Sequence, residues 1–129
     1  MTEPQIALLK RHWQELLRQL TEQFGEAPDL QGIIFLIGVQ ELGQGSRKFS
    51  KEEKQDLMHI ATCRLMSYEG YYELEKVDDE GWSHWKQLKE VPRFSLKEQD
   101  LLLKQSIVKY FEENDFDLSE DDEEEETII

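Results

Sequence analysis

The chain has one cysteine, three prolines and no long hydrophobic run among its 129 residues. A single cysteine, Cys63, cannot form an internal disulfide bond, which excludes a disulfide-stabilised scaffold. The longest apolar run, Ile33 to Ile37, has five residues, whereas a membrane-spanning helix needs ~20. Residues 1–25 lack the basic start and apolar run of a secretory signal. We therefore expect a cytoplasmic protein that does not bind membranes.

Acidic residues outnumber basic ones, and the negative charge is concentrated near the C-terminus. The chain has 15 lysines and arginines against 29 aspartates and glutamates, a net charge of −14. Eleven of these acids lie between Glu112 and Thr127, a stretch without a base. This composition argues against direct nucleic-acid binding. We expect residues 114–129 to be an acidic disordered tail. Deletion of residues 115–129 should then leave the melting temperature unchanged or slightly higher, since it removes self-repulsion.

Apolar residues at three- and four-residue spacing predict an all-α protein, a single-domain bundle over residues 1–113. Capping boxes at Thr2, Ser50 and Ser95 indicate where three of its helices begin. We predict about five helices, of which four are long and one is a short connector: 4–24, 30–42, 51–74, 80–90 and 96–113. The segment Ile33 to Ile37 is also β-prone, but helix is favoured because we find no second strand candidate to pair with it.

A metal-binding or catalytic role would depend on three residues of the third predicted helix. His59 follows Asp56 by three positions and precedes Cys63 by four, so the side chains lie near one another on the helix. A structural zinc site takes four ligands, commonly cysteine and histidine, and this chain offers one cysteine with scattered histidines. No nucleophile elbow or zinc-protease motif is present. The expectation is a protein that is not an enzyme and holds no metal or cofactor, with this triplet as the alternative.

Two further features are candidates for binding. The glycine-containing loop 43–46 leads through Arg47 and Lys48 into a predicted helix N-terminus, a combination that can hold an anion. Six of the 13 aromatic residues lie within a short stretch: Tyr68, Tyr71, Tyr72, Trp82, Trp85 and Phe94. This density favours a local core, with a ligand-binding or interaction groove as the alternative. Tyr71, Trp82 and Trp85 are the interaction candidates in this cluster.

The acidic tail is the last candidate for binding. Its carboxylates can attract basic protein surfaces or simply keep the protein soluble. The tail residues that we expect to contact a partner are Asp115, Asp117, Glu120, Asp121 and Asp122. The sequence thus favours a non-catalytic interaction or regulatory protein with a basic protein partner. The alternatives are a metal-binding bundle or enzyme and a small-ligand binder at the aromatic cluster. The heptad-like stripe of the first helix is also compatible with a homodimer.

Overall fold

The computed structural model describes residues 1–45 and 47–118, which form four helices and a two-stranded antiparallel sheet. In chain order the elements are α1 (Glu3–Phe24), α2 (Leu30–Leu42), α3 (Lys51–Met66), β1 (Tyr72–Val77), β2 (Ser83–Gln87) and α4 (Leu96–Glu113). The described chain is therefore mostly helical, as predicted. No helix in this part of the chain is long and apolar enough to cross a membrane.

The helix boundaries set by local capping are confirmed. Thr2, Ser50 and Ser95 each accept a hydrogen bond from the backbone N–H three residues later. The glutamine or glutamate at that later position accepts one from the N–H of the cap in return, so all three capping boxes are complete. Gly25 and Gly43 end α1 and α2 with φ values of 85° and 71°, a left-handed conformation that glycine adopts without strain.

Residues 67–90 correct the prediction of a third helix reaching Leu74 and a short helix at 80–90. α3 ends at Met66 and is followed by a 3-10 turn, Ser67–Glu69. β1 and β2 then pair as a hairpin, with a bulge between Leu74 and Lys76. The described residues thus contain four helices instead of five. The three-residue spacing of Trp82 and Trp85 resembles a helical pattern, but the turn between Asp78 and Trp82 aligns two strands instead.

The chain divides into two compact units, and each is described separately. The first contains Met1–Pro28 and the chain from Phe94 onward, and the second is Asp29–Arg93. In the first unit α1 packs against α4. Its buried apolar side chains are Leu9, Leu16, Leu20, Ile107, Val108, Tyr110, Phe111 and Leu118. Because three of these residues belong to the heptad-like stripe of α1, burial within this chain already accounts for much of that stripe.

The residues that follow α4 are held against the first unit. The backbone N–H of Phe116 donates to the last turn of α4 at 3.0 Å, and Gln19 Nε2 donates to the carbonyl oxygen of Asp117 at 2.8 Å. Leu118 is 2% exposed. Residues 116–118, which the sequence assigns to the tail, thus contact the first unit, and burial of a leucine offsets part of the ordering entropy of this segment. The prediction for 119–129 lies outside the described residues.

In the second unit α2 and α3 approach closely. A Cβ atom built on Gly38 would lie 2.4 Å from the carbonyl oxygen of Leu57, so glycine is required for this contact. Leu42, Phe49 and Leu57 form a buried cluster, and Trp82 of the hairpin packs against it. This packing fixes the hairpin beside α3.

Candidate functional site

The candidate site is a cavity of about 440 Å³ between α3 and the β-hairpin, within the second unit. Its lining residues are Glu53, Asp56, His59 and Ile60 from α3, with Asp78, Glu80, Trp82, Ser83 and His84 from the hairpin. Four of these are carboxylates, two are imidazoles and one is an indole. No lysine or arginine is among the described residues that line the cavity. A cavity of this size is in the range that accommodates a small ligand or a long side chain.

One wall of the cavity is a single face of α3. Glu53, Asp56 and Ile60 recur at three- and four-residue steps, which places them one above another on the helix. Ile60 is 4% exposed and supplies an apolar surface. Glu53 Oε1 accepts from the N–H of Ser50 at 2.9 Å, and Oε2 lies 3.0 Å from Arg47 Nη2. Hydrogen bonding to Ser50, followed by that to Arg47, lowers the pKa of Glu53.

The opposite wall is the hairpin turn, which Asp78 organises. Asp78 Oδ1 accepts hydrogen bonds from the backbone N–H groups of Glu80 and Trp82, each at 3.0 Å. Gly81 has a φ of 92°, which a residue with a Cβ rarely adopts. Gln44 Nε2 donates to the carbonyl oxygen of Glu80 at 2.6 Å, attaching the turn to the loop after α2. The cavity wall is therefore held by hydrogen bonds at both sides of the turn.

The second oxygen of the same aspartate contacts a histidine across the hairpin. Asp78 Oδ2 lies 2.9 Å from His84 Nε2. The hydrogen bond with His84, followed by that from the N–H of Trp82, lowers the pKa of Asp78. Both side chains are partly exposed, with 35% of Asp78 and 47% of His84 accessible. The imidazole is thus oriented at the cavity wall while remaining accessible to solvent.

The carboxylates of Asp56 and Glu80 differ from the other two. Glu53 contacts Arg47 and Asp78 contacts His84. Within the described residues, neither Asp56 nor Glu80 forms an ion pair, and both side chains are exposed. These two negative charges, one on each wall, are therefore available to a cation that enters the cavity.

Trp82 gives the cavity an aromatic surface in a fixed position. Its side chain is half-buried and packs against the cluster of Leu42, Phe49 and Leu57 while also lining the cavity. An indole face attracts organic cations more strongly than any other aromatic side chain. Because the packing restricts the ring, less conformational entropy is lost when a ligand binds.

The metal candidates are only partly brought together. Asp56 and His59 line the cavity, but Cys63 does not, and it is 1% exposed. Cys63 Sγ lies 3.6 Å from His59 Nε2, and burial raises the pKa of the Cys63 thiol, which disfavours the reactive thiolate. Among the residues that the structure describes, no three histidine, cysteine or acidic side chains are grouped to hold a metal ion.

The basic loop candidates lie outside the cavity lining. Arg47 pairs with Glu53, and its guanidinium carbon lies 4.4 Å from the ring centroid of Phe49. Lys48 is exposed. Ser46, which belongs to the proposed anion loop, lies outside the described residues. Arg47 is therefore engaged by a carboxylate and a ring of its own unit.

The aromatic candidates have different surroundings. Lys89 Nζ lies 4.7 Å from the ring centroid of Tyr71. Trp85 pairs with Leu74 across the hairpin and donates from Nε1 to Ser83 Oγ at 3.0 Å. Phe94 belongs to the other unit. Of the three aromatic interaction candidates, Trp82 is the one that lines the cavity.

The tail candidates are described only in part. Asp115 has a φ of 72° and is exposed, and Asp117 is exposed while its carbonyl oxygen accepts from Gln19. Glu120, Asp121 and Asp122 lie outside the described residues.

Two acidic cavity residues, Glu53 and Asp78, were not identified from the sequence as binding residues. The signal that was available is the run Asp78-Asp79-Glu80-Gly81, in which an aspartate precedes a glycine by three positions, as in a type I turn. That pattern is compatible with a hairpin turn, but the segments on either side of it carry little of the apolar alternation that indicates strands.

No protein-family model, no curated protein and no solved structure matches this chain. Its function is therefore inferred from the chemistry of the cavity itself.

Proposed function

We propose that this chain is a non-catalytic interaction protein that binds a lysine or arginine side chain of a basic protein partner in the cavity between α3 and the hairpin. The observation that carries this proposal is the pairing of two carboxylates without ion-pair partners among the described residues, Asp56 and Glu80, with the indole of Trp82 in one cavity. The cavity thereby gives this chain a specific binding surface for the basic partner that we expect from the charge pattern.

Electrostatics favour a cation over other ligands. The cavity-lining carboxylates raise the local concentration of positive ions and speed their approach. An arginine or lysine that passes between Asp56 and Glu80 gains charge-assisted hydrogen bonds. Its head group also lies against the indole of Trp82, an attraction of about 0.5–2 kcal/mol depending on desolvation. A neutral or anionic ligand gains neither contribution.

The same geometry supports binding more than catalysis. Nucleophilic catalysis requires an activated hydroxyl or thiol beside a base. The Ser83 hydroxyl at the cavity wall accepts a hydrogen bond from Trp85, and the Cys63 thiol is buried with a raised pKa. The pair Asp78–His84 is therefore assigned the role of holding the hairpin.

The acidic tail contributes a second, less specific attraction for the same partner. Its charges act at a distance and are screened by salt, whereas the cavity provides the stereochemical contact. We propose that the tail accelerates encounter with a basic segment and that the cavity selects a single side chain of that segment.

The test uses fluorescence anisotropy with a labelled Gly-Arg repeat peptide and the full-length chain. The double variant D56N/E80Q removes two charges from the cavity and is expected to weaken binding by about fivefold or more, since each contact with an exposed charge contributes modestly. The matched control is E3Q/E26Q, which removes two exposed charges outside the cavity and is expected to change the affinity less than about twofold.

Trp82→Leu provides an independent check of the aromatic contact. Leucine keeps an apolar side chain against the core but removes the π face, so we expect about a threefold loss of affinity.

Equal weakening by D56N/E80Q and E3Q/E26Q would show generic attraction to net charge, and the proposed cavity site would then be wrong. A Gly-Gln repeat peptide of equal length controls for non-ionic binding.

A further inference from the structure

The cavity contains two of the three histidines of the chain. His59 of α3 and His84 of β2 both line it, whereas His12 belongs to the first unit. Histidine is the side chain whose charge ordinarily changes between about pH 5 and 8. The lining also holds four carboxylates and, among the described residues, no lysine or arginine. The net charge of the cavity, and therefore its attraction for a cation, should vary with pH in this range.

We propose that pH regulates the binding of a cationic side chain in this cavity through protonation of His84. This regulation rests on the proposed function, since it concerns the same ligand at the same site. When His84 is neutral, the carboxylates of Asp56 and Glu80 attract the ligand without competition from the cavity wall. When His84 is protonated, its positive charge repels the ligand and interacts with the same carboxylates. Binding is therefore strongest above neutral pH and weakens as the pH falls.

The charged groups around His84 come from each element beside it. Asp78 Oδ2 lies 2.9 Å from Nε2 of the ring. Lys76 lies opposite His84 on β1, and Lys86 follows it by two positions on β2, on the same face of the hairpin. The titratable groups that line the cavity with His84 and Asp78 are Glu53, Asp56 and His59 from α3 and Glu80 from the turn.

The histidines account for the change in charge, because lysines ordinarily stay positive and carboxylates negative between about pH 5.5 and 8. His59 is less suited to protonation than His84. Its Nε2 lies 3.6 Å from Cys63 Sγ, and burial raises the pKa of this thiol, which keeps its proton. The thiol can donate to a neutral ring only, since a protonated imidazole has no acceptor nitrogen. The structure thus places a carboxylate beside His84 and a thiol beside His59.

Protonation of His84 changes the charge of the wall without removing its support. Asp78 Oδ1 accepts from the N–H groups of Glu80 and Trp82, and these bonds do not involve the histidine. The pKa of Asp78 is lowered, with the hydrogen bond to His84 as the largest cause, so the carboxylate stays ionised and pairs with the protonated ring. Because 47% of the His84 side chain is accessible, solvent screens its charge and the change in affinity is moderate.

The test measures binding of the Gly-Arg repeat peptide to the full-length chain by fluorescence anisotropy, at about pH 8 and about pH 5.5 and at constant ionic strength. The peptide is acetylated and amidated, which removes its terminal charges. We expect the dissociation constant of the unaltered chain to rise about fivefold at the lower pH. In His84→Gln the rise should be less than about twofold, because glutamine can still donate to Asp78 but does not titrate.

His84→Lys is a second variant that places a fixed positive charge at the same position. It should bind about as weakly at both pH values as the unaltered chain does at about pH 5.5. His12→Gln is the matched control, since it removes a histidine outside the unit that contains the cavity. This control and His59→Gln should each keep a rise of about fivefold. Thermal unfolding of every variant at both pH values establishes that the chain is folded during the measurement.

The proposal is overturned if the unaltered chain binds equally at both pH values, or if His84→Gln retains the full pH dependence. Loss of the pH dependence in His12→Gln or His59→Gln would also overturn it. The double variant D56N/E80Q at about pH 8 separates the regulation from the proposed function. Weaker binding by this variant, together with full pH dependence in His84→Gln, would disprove the regulation alone. Undiminished binding by D56N/E80Q would disprove the cavity site itself.

Discussion

The carboxylate of Asp78 joins two parts of the hairpin, with Oδ2 lying 2.9 Å from His84 Nε2 on β2 while Oδ1 accepts from the N–H of Trp82 in the turn. One side chain thereby fixes both the turn and the first residues of the returning strand. Because Trp82 and His84 both line the cavity, the shape of the candidate site depends on this aspartate.

Acid should weaken the hairpin through Asp78. The pKa of Asp78 is lowered in the folded chain, with the His84 contact as the largest cause. A depressed pKa contributes stability that is fully present above the unfolded pKa, about 3.9, and that is lost as the pH falls through the folded value. We therefore expect Asp78→Ala to lower the melting temperature at neutral pH, and the difference from the unaltered chain to shrink at pH ~2.

The neighbouring Asp79→Ala is the control for this experiment. Asp79 is exposed and has the same charge, but the turn hydrogen bonds are made by Asp78. We expect little change in melting temperature for Asp79→Ala at either pH. A deficit of Asp78→Ala that stays constant down to pH ~2 would show that the side chain acts by something other than its ionised carboxylate.

Gly38 should be intolerant of even the smallest side chain. A Cβ at this position would lie 2.4 Å from the carbonyl oxygen of Leu57, so α2 and α3 would have to separate. Overpacking of this kind costs about 1–3 kcal/mol, even though alanine is the better helix former. We expect Gly38→Ala to lower the free energy of unfolding in urea by that amount.

Gly25→Ala separates packing from backbone effects. Gly25 has a φ of 85°, and a Cβ added there would have nothing within 4 Å. We therefore expect Gly25→Ala to lower the free energy of unfolding only through backbone strain, by about 1 kcal/mol. If Gly38→Ala proved as stable as the unaltered chain, the close approach of α2 and α3 would be disproved.

The parts of the fold that could be predicted from the sequence are those with local causes. A capping box at Ser50 needs only Glu53, three residues away, and the glycine that ends α1 acts within one turn. The hairpin could not be predicted in the same way. Its strands are mostly exposed and carry little apolar alternation, and its position depends on packing of Trp82 against residues distant in sequence.

The candidate site was predicted in part for the same reason. Asp56, His59 and Trp82 were each identified as chemically capable residues, but for separate functions. Only the hairpin brings Trp82 beside the other two. Asp78 was missed because a helix over 80–90 leaves no hairpin turn for it to form. The wrong secondary structure predicted for one segment therefore prevented prediction of the site, although three of its residues were identified individually.

The buried side chain of Leu118 provides a final prediction. It is opposite to the expectation from charge repulsion alone, which is that the segment after α4 contributes no stability. Leu118 is 2% exposed, so Leu118→Ala in the full-length chain should lower the free energy of unfolding by about 2 kcal/mol or more. Leu96→Ala is the matched control, because Leu96 is 85% exposed, and it should change stability by less than about 0.5 kcal/mol.

Truncation tests the contribution of Leu118 by removing the residues after α4 instead of replacing one side chain. A chain that ends at Leu118 keeps the buried side chain and the hydrogen bond from Gln19 to Asp117, while a chain that ends at Asn114 loses both. We expect the longer of the two to have the higher melting temperature, even though the shorter one carries less negative charge. Equal melting temperatures, together with a neutral Leu118→Ala, would mean that residues 115–118 contribute no stability and that the acidic segment begins directly after α4.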